Sequence, residues 1–376
     1  MRPSKSRNKD VLHTTNGTLK PKKAIPELLA EAAALLQQSQ PELALPLAEK
    51  AVRGLENRTT SSINPAAGIC LLAEIQLELG DVDAARKNFT QAVNIDPVGS
   101  YIGADALLWL AQLCEDGGRK SIELFERAND ILRKRINDLV NKIKHTAELQ
   151  TELLYLKRKL SDALCSMAEI YMTDLSLEAD AETKCESFVA EALLITPDSP
   201  AALQTLASVR ISQLKTADAQ AALRRSLGLW QDLPPDDATV PDFPIRISLV
   251  RLLMEVQMEV EAMEVLERLI AEDDQSVEAW YLGGWCQVLL AEKLVDDESG
   301  KLDKQGGARE WLRNCLRAYQ VVEYEDDRVR DHAVELVTAL DTDLGLEGDE
   351  EEWQDESSDC EEELEAIDGD GDAEMT

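Results

Sequence analysis

Gly80–Pro97 reads GDVDAARKNFTQAVNIDP. Ala85, Phe89 and Ala92 stand four and three residues apart, so they share one face of a helix. Gly80 ahead of it and Pro97 behind it are stop signals. The same spacing recurs along the chain. Upstream, Ile69, Leu72 and Ala73 mark a first helix, which makes Ala66–Pro97 a helical hairpin. Pro200–Leu233 repeats the layout with Leu203, Leu206 and Ala207, then Ala219, Leu223 and Ser226. A third copy opens at Val277, where WYLGGW places Trp280, Gly283 and Gly284 on the first helix and Ala308, Leu312 and Cys315 fall on the second. Weaker copies begin near Ile25, Ala104, Ser161 and Phe243.

These residues and spacings resemble the tetratricopeptide repeat, a helix–turn–helix unit of about 34 residues with a W-x-x-L-G-x-x-Y, A, F, A, P pattern. Packing is the reason for the pattern. Small residues such as Ala73, Ala85 and Ala92 let two antiparallel helices approach, while Phe89 fills the gap towards the next unit. One such hairpin cannot bury its apolar face, so units must stack. The fold expected is all-α, a tetratricopeptide-repeat right-handed solenoid of about seven helical hairpins. It spans residues 24–344, between a basic arm (1–23) and an acidic tail (345–376).

The departures are informative. Ala111 and Ala168, equivalent places in successive first helices, are 57 residues apart. The excess keeps apolar residues at helical spacing and lacks Gly and Pro, so a helical insertion is expected over about 129–160. Leu233–Pro244 reads as a proline-rich linker, Val295–Gly307 as a polar loop, and Asp331–Leu344 as a capping helix.

Composition narrows the function. Aromatics make up only 4% of the chain and leucine and alanine dominate, which favours packed helices over sheet. A net charge of −34 opposes direct nucleic-acid binding and binding to an anionic membrane, and it favours basic partners. Seven scattered cysteines without a CxxC pair fit a reducing compartment, and three histidines cannot build a zinc cluster. The N-terminus lacks the apolar core of a secretory signal. No phosphate loop, dinucleotide fingerprint, nucleophile elbow or HExxH is present, so no enzyme, cofactor or metal is expected.

The two ends differ sharply. Seven Lys or Arg precede Ala24, and none follows Arg330. Both ends should be disordered. The stretches RPSKSRNK and KPKK read either as a nuclear-import signal or as a solvated tail. The acidic tail reads either as an electrostatic clamp for a basic client or as a solubilising segment. Ser358 lies in an acidic context that suits an acid-directed kinase.

A tetratricopeptide stack presents a groove lined by its first helices. The inward places expected here are Glu74, then Asp105, Gln112 and Glu115, then Asp162, Glu169 and Met172. Arg251 and Glu255 follow, and then Glu278, Tyr281 and Trp285. Carboxylates beside an aromatic pair suit an extended Lys/Arg-rich peptide, through ion pairs and cation–π contacts. The alternative is that Trp285 packs between repeats and the carboxylates face water. The groove places that hold Lys, Asn and Arg in heat-shock adaptors are Leu29, Ala33, Cys70 and Glu74, which exclude a carboxylate clamp.

The whole layout resembles the fungal dedicated assembly chaperones of the large-subunit ribosomal protein uL-four. That resemblance implies capture of a newly made basic ribosomal protein through its long internal loop, passage from cytoplasm to nucleus with an import receptor, and delivery to pre-60S particles. A histone chaperone and a scaffold subunit binding apolar helices are the rival readings.

Overall fold

The computed structural model describes residues 23–56, 64–142 and 146–346. Most of the basic arm, the acidic tail from Glu347 and Ser358 lie outside the described residues. Regular structure among the described residues is helical throughout. Hairpins are formed by α1 (Ile25–Gln37) with α2 (Pro41–Glu56), α3 (Pro65–Glu78) with α4 (Val82–Ile95), and α5 (Asp105–Gln112) with α6 (Gly118–Val140). The next are α7 (Ala147–Met172) with α8 (Ala181–Ile195) and α9 (Pro200–Ser212) with α10 (Thr216–Leu227). Then come α11 (Phe243–Glu255) with α12 (Glu259–Glu272) and α13 (Val277–Lys293) with α14 (Glu298–Val321), followed by α15 (Asp327–Leu344). No described helix is long and apolar enough to cross a membrane.

The chain divides into two compact units. The first holds everything up to Ala163 with Thr173–Leu177, and the second holds Leu164–Met172 and everything from Glu178. In the first unit, Ala85, Phe89 and Ala92 are fully buried. The Phe89 ring stacks on Trp109 of α5 with centroids 6.4 Å apart, so this aromatic joins one hairpin to the next. Gly80 takes φ +79, a left-handed turn that a side chain would strain. Asp81 caps α4 by accepting from the Ala84 amide at 3.1 Å. After Pro97 the backbone turns around Asp96, whose carboxylate accepts from the amides of Ser100, Tyr101 and Ile102. Burial alone would raise the Asp96 pKa, but these amides outweigh it and hold the carboxyl below its ordinary value.

The expected insertion lengthens two helices. α6 runs for 23 residues and α7 for 26, against 14 in α4. An Arg135–Glu152 ion pair of 2.7 Å ties the added turns together.

In the second unit the linker is fastened down. Trp230 is buried beneath it, the Arg268 guanidinium lies 5.3 Å from that indole, and Arg268 donates to the carbonyls of Gln231 and Leu233. The polar loop expected over Val295–Gly307 is instead helical from Glu298, because Asp297 caps the helix by accepting from the Gly300 amide at 2.9 Å. Its polar residues are the outer turns of α14. Glycines let α13 and α14 close on each other: a Cβ at Gly283 would lie 2.0 Å from Trp311, one at Gly284 2.5 Å from Leu312, and one at Gly307 2.2 Å from Gln287. Through Ala333, Val337 and Leu340, α15 covers the end of that hairpin.

Candidate functional site

In the first unit, α3, α5 and α7 bring Cys70, Glu74, Asp105 and Lys159 together. The Cys70 thiol donates to Glu74 at 3.6 Å. Burial is the main cause of a raised Glu74 pKa, with the nearby Asp105 charge adding to it. Asp105 is not an open carboxylate, because Lys159 from α7 is ion-paired to it. Burial would lower Lys159, but its bonds to Asp105 and Tyr155 prevail and raise it. The Lys159 ammonium also sits 4.6 Å from the centre of the Tyr155 ring.

Further along α7 come Asp162, in the first unit, and Glu169, in the second. Both are open to solvent, yet burial raises both carboxyl pKa values. Each side chain is exposed, yet protein packed around its carboxyl removes part of its hydration. Met172, half-buried, ends the helix.

Two expected members sit differently. Gln112 is the exposed last residue of α5, and Glu115 lies beyond that helix in the turn. There Glu115 pairs with Arg86 of α4 at 2.7 Å, so it ties two hairpins together instead of standing on a first-helix face.

The second unit contains a cleft of about 340 Å³ lined by Arg251, Met254, Glu255, Glu278, Tyr281, Leu282, Trp285, Leu289 and Val329. Arg251, Glu255, Glu278, Tyr281 and Trp285, expected from α11 and α13, all line it. Ile247 and Val288, also expected on these inward faces, do not: Ile247 is buried in the core. Arg251 and Glu278 are ion-paired across the two helices. Trp285 is 37% exposed, which places it at the cleft surface and not in a repeat interface. Its ring centroid is 6.0 Å from that of Tyr281. Burial raises the Tyr281 hydroxyl pKa. Apolar walls with carboxylates and indole at the mouth can take a Lys or Arg side chain, stem against Met254 and Leu289, head against the rings.

Three partners were not read from the sequence. Arg86 and Lys159 neutralise expected groove carboxylates. His332, from α15, touches both cleft aromatics. No local spacing announces such pairs, although the surplus of Lys and Arg in the insertion was a visible hint for Lys159.

Stacked hairpins of this kind define a tetratricopeptide-repeat protein. No family model matches the chain. A protein of Emericella nidulans named probable assembly chaperone of rpl4 is 45% identical over 99% of this chain and 96% of its own length. One of the same name from Schizosaccharomyces pombe is 36% identical over 78% of this chain and 86% of its own. A solved structure of the assembly chaperone of RpL4 (Acl4), residues 1–338, is 46% identical and superposes with a TM-score of 0.66, covering 72% of this chain and 98% of that one. The chain belongs to the family of rpl4 assembly chaperones.

Proposed function

We propose that this protein is a dedicated chaperone of the ribosomal protein rpl4, the uL-four protein of the large subunit. The observation that carries this is the 45% identity, nearly end to end, with a protein of that name. The protein binds its client and performs no chemistry on it. Glu74, Asp162 and Glu169 attract Lys and Arg of the client's extended loop, and the cleft at Tyr281 and Trp285 holds one cationic side chain. The deficit of positive charge, net −34, supports a basic client and opposes competing attachment to nucleic acid or membrane. The client's loop loses conformational freedom on capture, so several contacts along an extended surface are required. The basic arm recruits an import receptor, and the protein shuttles with its client from cytoplasm to nucleus for pre-60S assembly.

Affinity purification of the full chain from its own cells, with stoichiometric partners identified by mass spectrometry, tests this. Rpl4 is expected at one-to-one ratio. Histones, or a stable complex of apolar helical subunits, in its place would overturn the reading. A chain carrying Ala in place of the Lys and Arg of the arm should keep rpl4 yet accumulate in the cytoplasm.

A further inference from the structure

His332 is the one histidine among the described residues, and it lies on the helix that caps the second unit. That helix has two working faces. Ala333, Val337 and Leu340 pack into the core with Leu312, Cys315 and Leu316. Val329 packs against that core and also lines the cleft, and His332, one turn on, reaches the cleft's aromatic wall through the Tyr281 hydroxyl. The His332 Nδ1 lies 2.7 Å from the Tyr281 hydroxyl. Its ring centroid is 5.8 Å from Tyr281 and 5.8 Å from Trp285, at interplanar angles of 64° and 88°. His332 therefore meets both aromatics edge to face, while Tyr281 and Trp285 are tilted against each other at 46°.

We propose that His332 is a positioning residue for client recognition, resting on the function proposed above. In the tautomer protonated at Nε2, the Tyr281 hydroxyl donates to Nδ1. That bond fixes the phenol, and the imidazole edge fixes the Trp285 indole beside it. The aromatic pair is thereby held open before a client arrives. Donation from the hydroxyl also leaves the phenol ring richer in electron density, which favours a cation at its face. A side chain already ordered in the free protein loses no freedom on binding, so removing the brace weakens capture without removing any contact to the client.

The probe is a synthetic peptide spanning the long basic loop of rpl4, titrated into the full chain. His332→Ala should weaken binding by about tenfold, the scale of one newly immobilised aromatic side chain or two. His332→Asn puts an acceptor oxygen where Nδ1 stood, so it should recover part of the loss. Tyr281→Phe should weaken binding similarly, and combining it with His332→Ala should cost little more than either change alone. Near-ultraviolet circular dichroism of the free chain should lose aromatic intensity in His332→Ala and regain it in His332→Asn. Parent-like binding and spectrum in His332→Ala, strictly additive losses in the double variant, or Asn no better than Ala would each overturn the proposal. A parent chain that does not bind the loop overturns the function proposed above, and the dichroism of the free chains then decides separately about His332.

Discussion

At the scale of single residues, Glu74 is a carboxyl held against its surroundings. Its carboxylate is half-buried, accepts a thiol hydrogen bond, and sits near the Asp105–Lys159 pair. Burial first, and then the Asp105 charge, raise its pKa. A carboxyl with a raised pKa in the folded state costs stability once it ionises, so the sign is opposite to that of a salt-bridged acid. Below the ordinary carboxylate range both states are protonated and the cost vanishes. It grows as pH rises through that range and is complete above the raised value. Glu74→Gln should therefore raise the melting temperature above neutrality and leave it unchanged in acid, while weakening capture of the rpl4 loop. Thermal melts at several pH values check this, and a variant less stable than the parent at pH 8 would contradict it.

Among elements, the α13–α14 hairpin depends on how closely two helices approach. Gly283 is enclosed by Trp311, whose ring stands against Trp280 with centroids 4.8 Å apart. A methyl group at Gly283 would overlap that indole, so Gly283→Ala should cost about 1–3 kcal/mol or more, the range for overpacking a tight core. Gly306, in the middle of α14, has nothing within 4 Å of where a Cβ would stand. There the ordinary helix preference applies, and Gly306→Ala should stabilise by roughly 0.5–1 kcal/mol. Denaturant titration of the two variants gives opposite signs if close approach governs the first site and backbone freedom the second. Equal effects would mean the hairpin is not packed as described. Because α13 carries Tyr281 and Trp285, a displaced α14 also reaches the cleft through its own helix partner.

For the whole molecule, the proposed function makes charge the determinant of both partner and rate. Asp162 and Glu169 are desolvated by the surrounding protein, whereas Glu264 and Glu267 stand exposed on α12. On the proposed function, reversing Asp162 and Glu169 to Lys replaces attraction by repulsion at partly desolvated carboxyls, with an expected loss of about 2–5 kcal/mol in client binding. The same reversal of Glu264 and Glu267 should be nearly silent. Isothermal titration of both double variants decides it. Equal weakening would mean that overall charge alone holds the client. The acidic tail makes a different prediction, since exposed charges act mainly on encounter. Removing residues 347–376 should slow association with the rpl4 loop at low salt and matter less at high salt. Stopped-flow rates across ionic strength test this, and an unchanged low-salt rate would leave the tail a solubilising segment.

The hairpins were legible because helical periodicity is local: Ala85, Phe89 and Ala92 declare a buried face within eight residues of chain, and Phe89 is indeed fully buried. The glycines of WYLGGW were legible for the same reason, as small residues on a packed face. The boundary at Val295–Gly307 was not, since polar residues look alike in a loop and on the outer turns of a helix capped by Asp297. The cleft residues of α11 and α13 followed from repeat position, so their side chains could be placed in advance. Their electrostatic partners could not. Lys159 reaches Asp105 across 54 residues, Arg86 ties down Glu115, and His332 meets Tyr281 across 51. Sequence alone determined an acidic helical-repeat protein with carboxylates and aromatics on its first helices. Only the tertiary structure decided which of those carboxylates carry an ion-pair partner from a distant helix, because a charge is neutralised by whatever packing brings within a few ångströms of it.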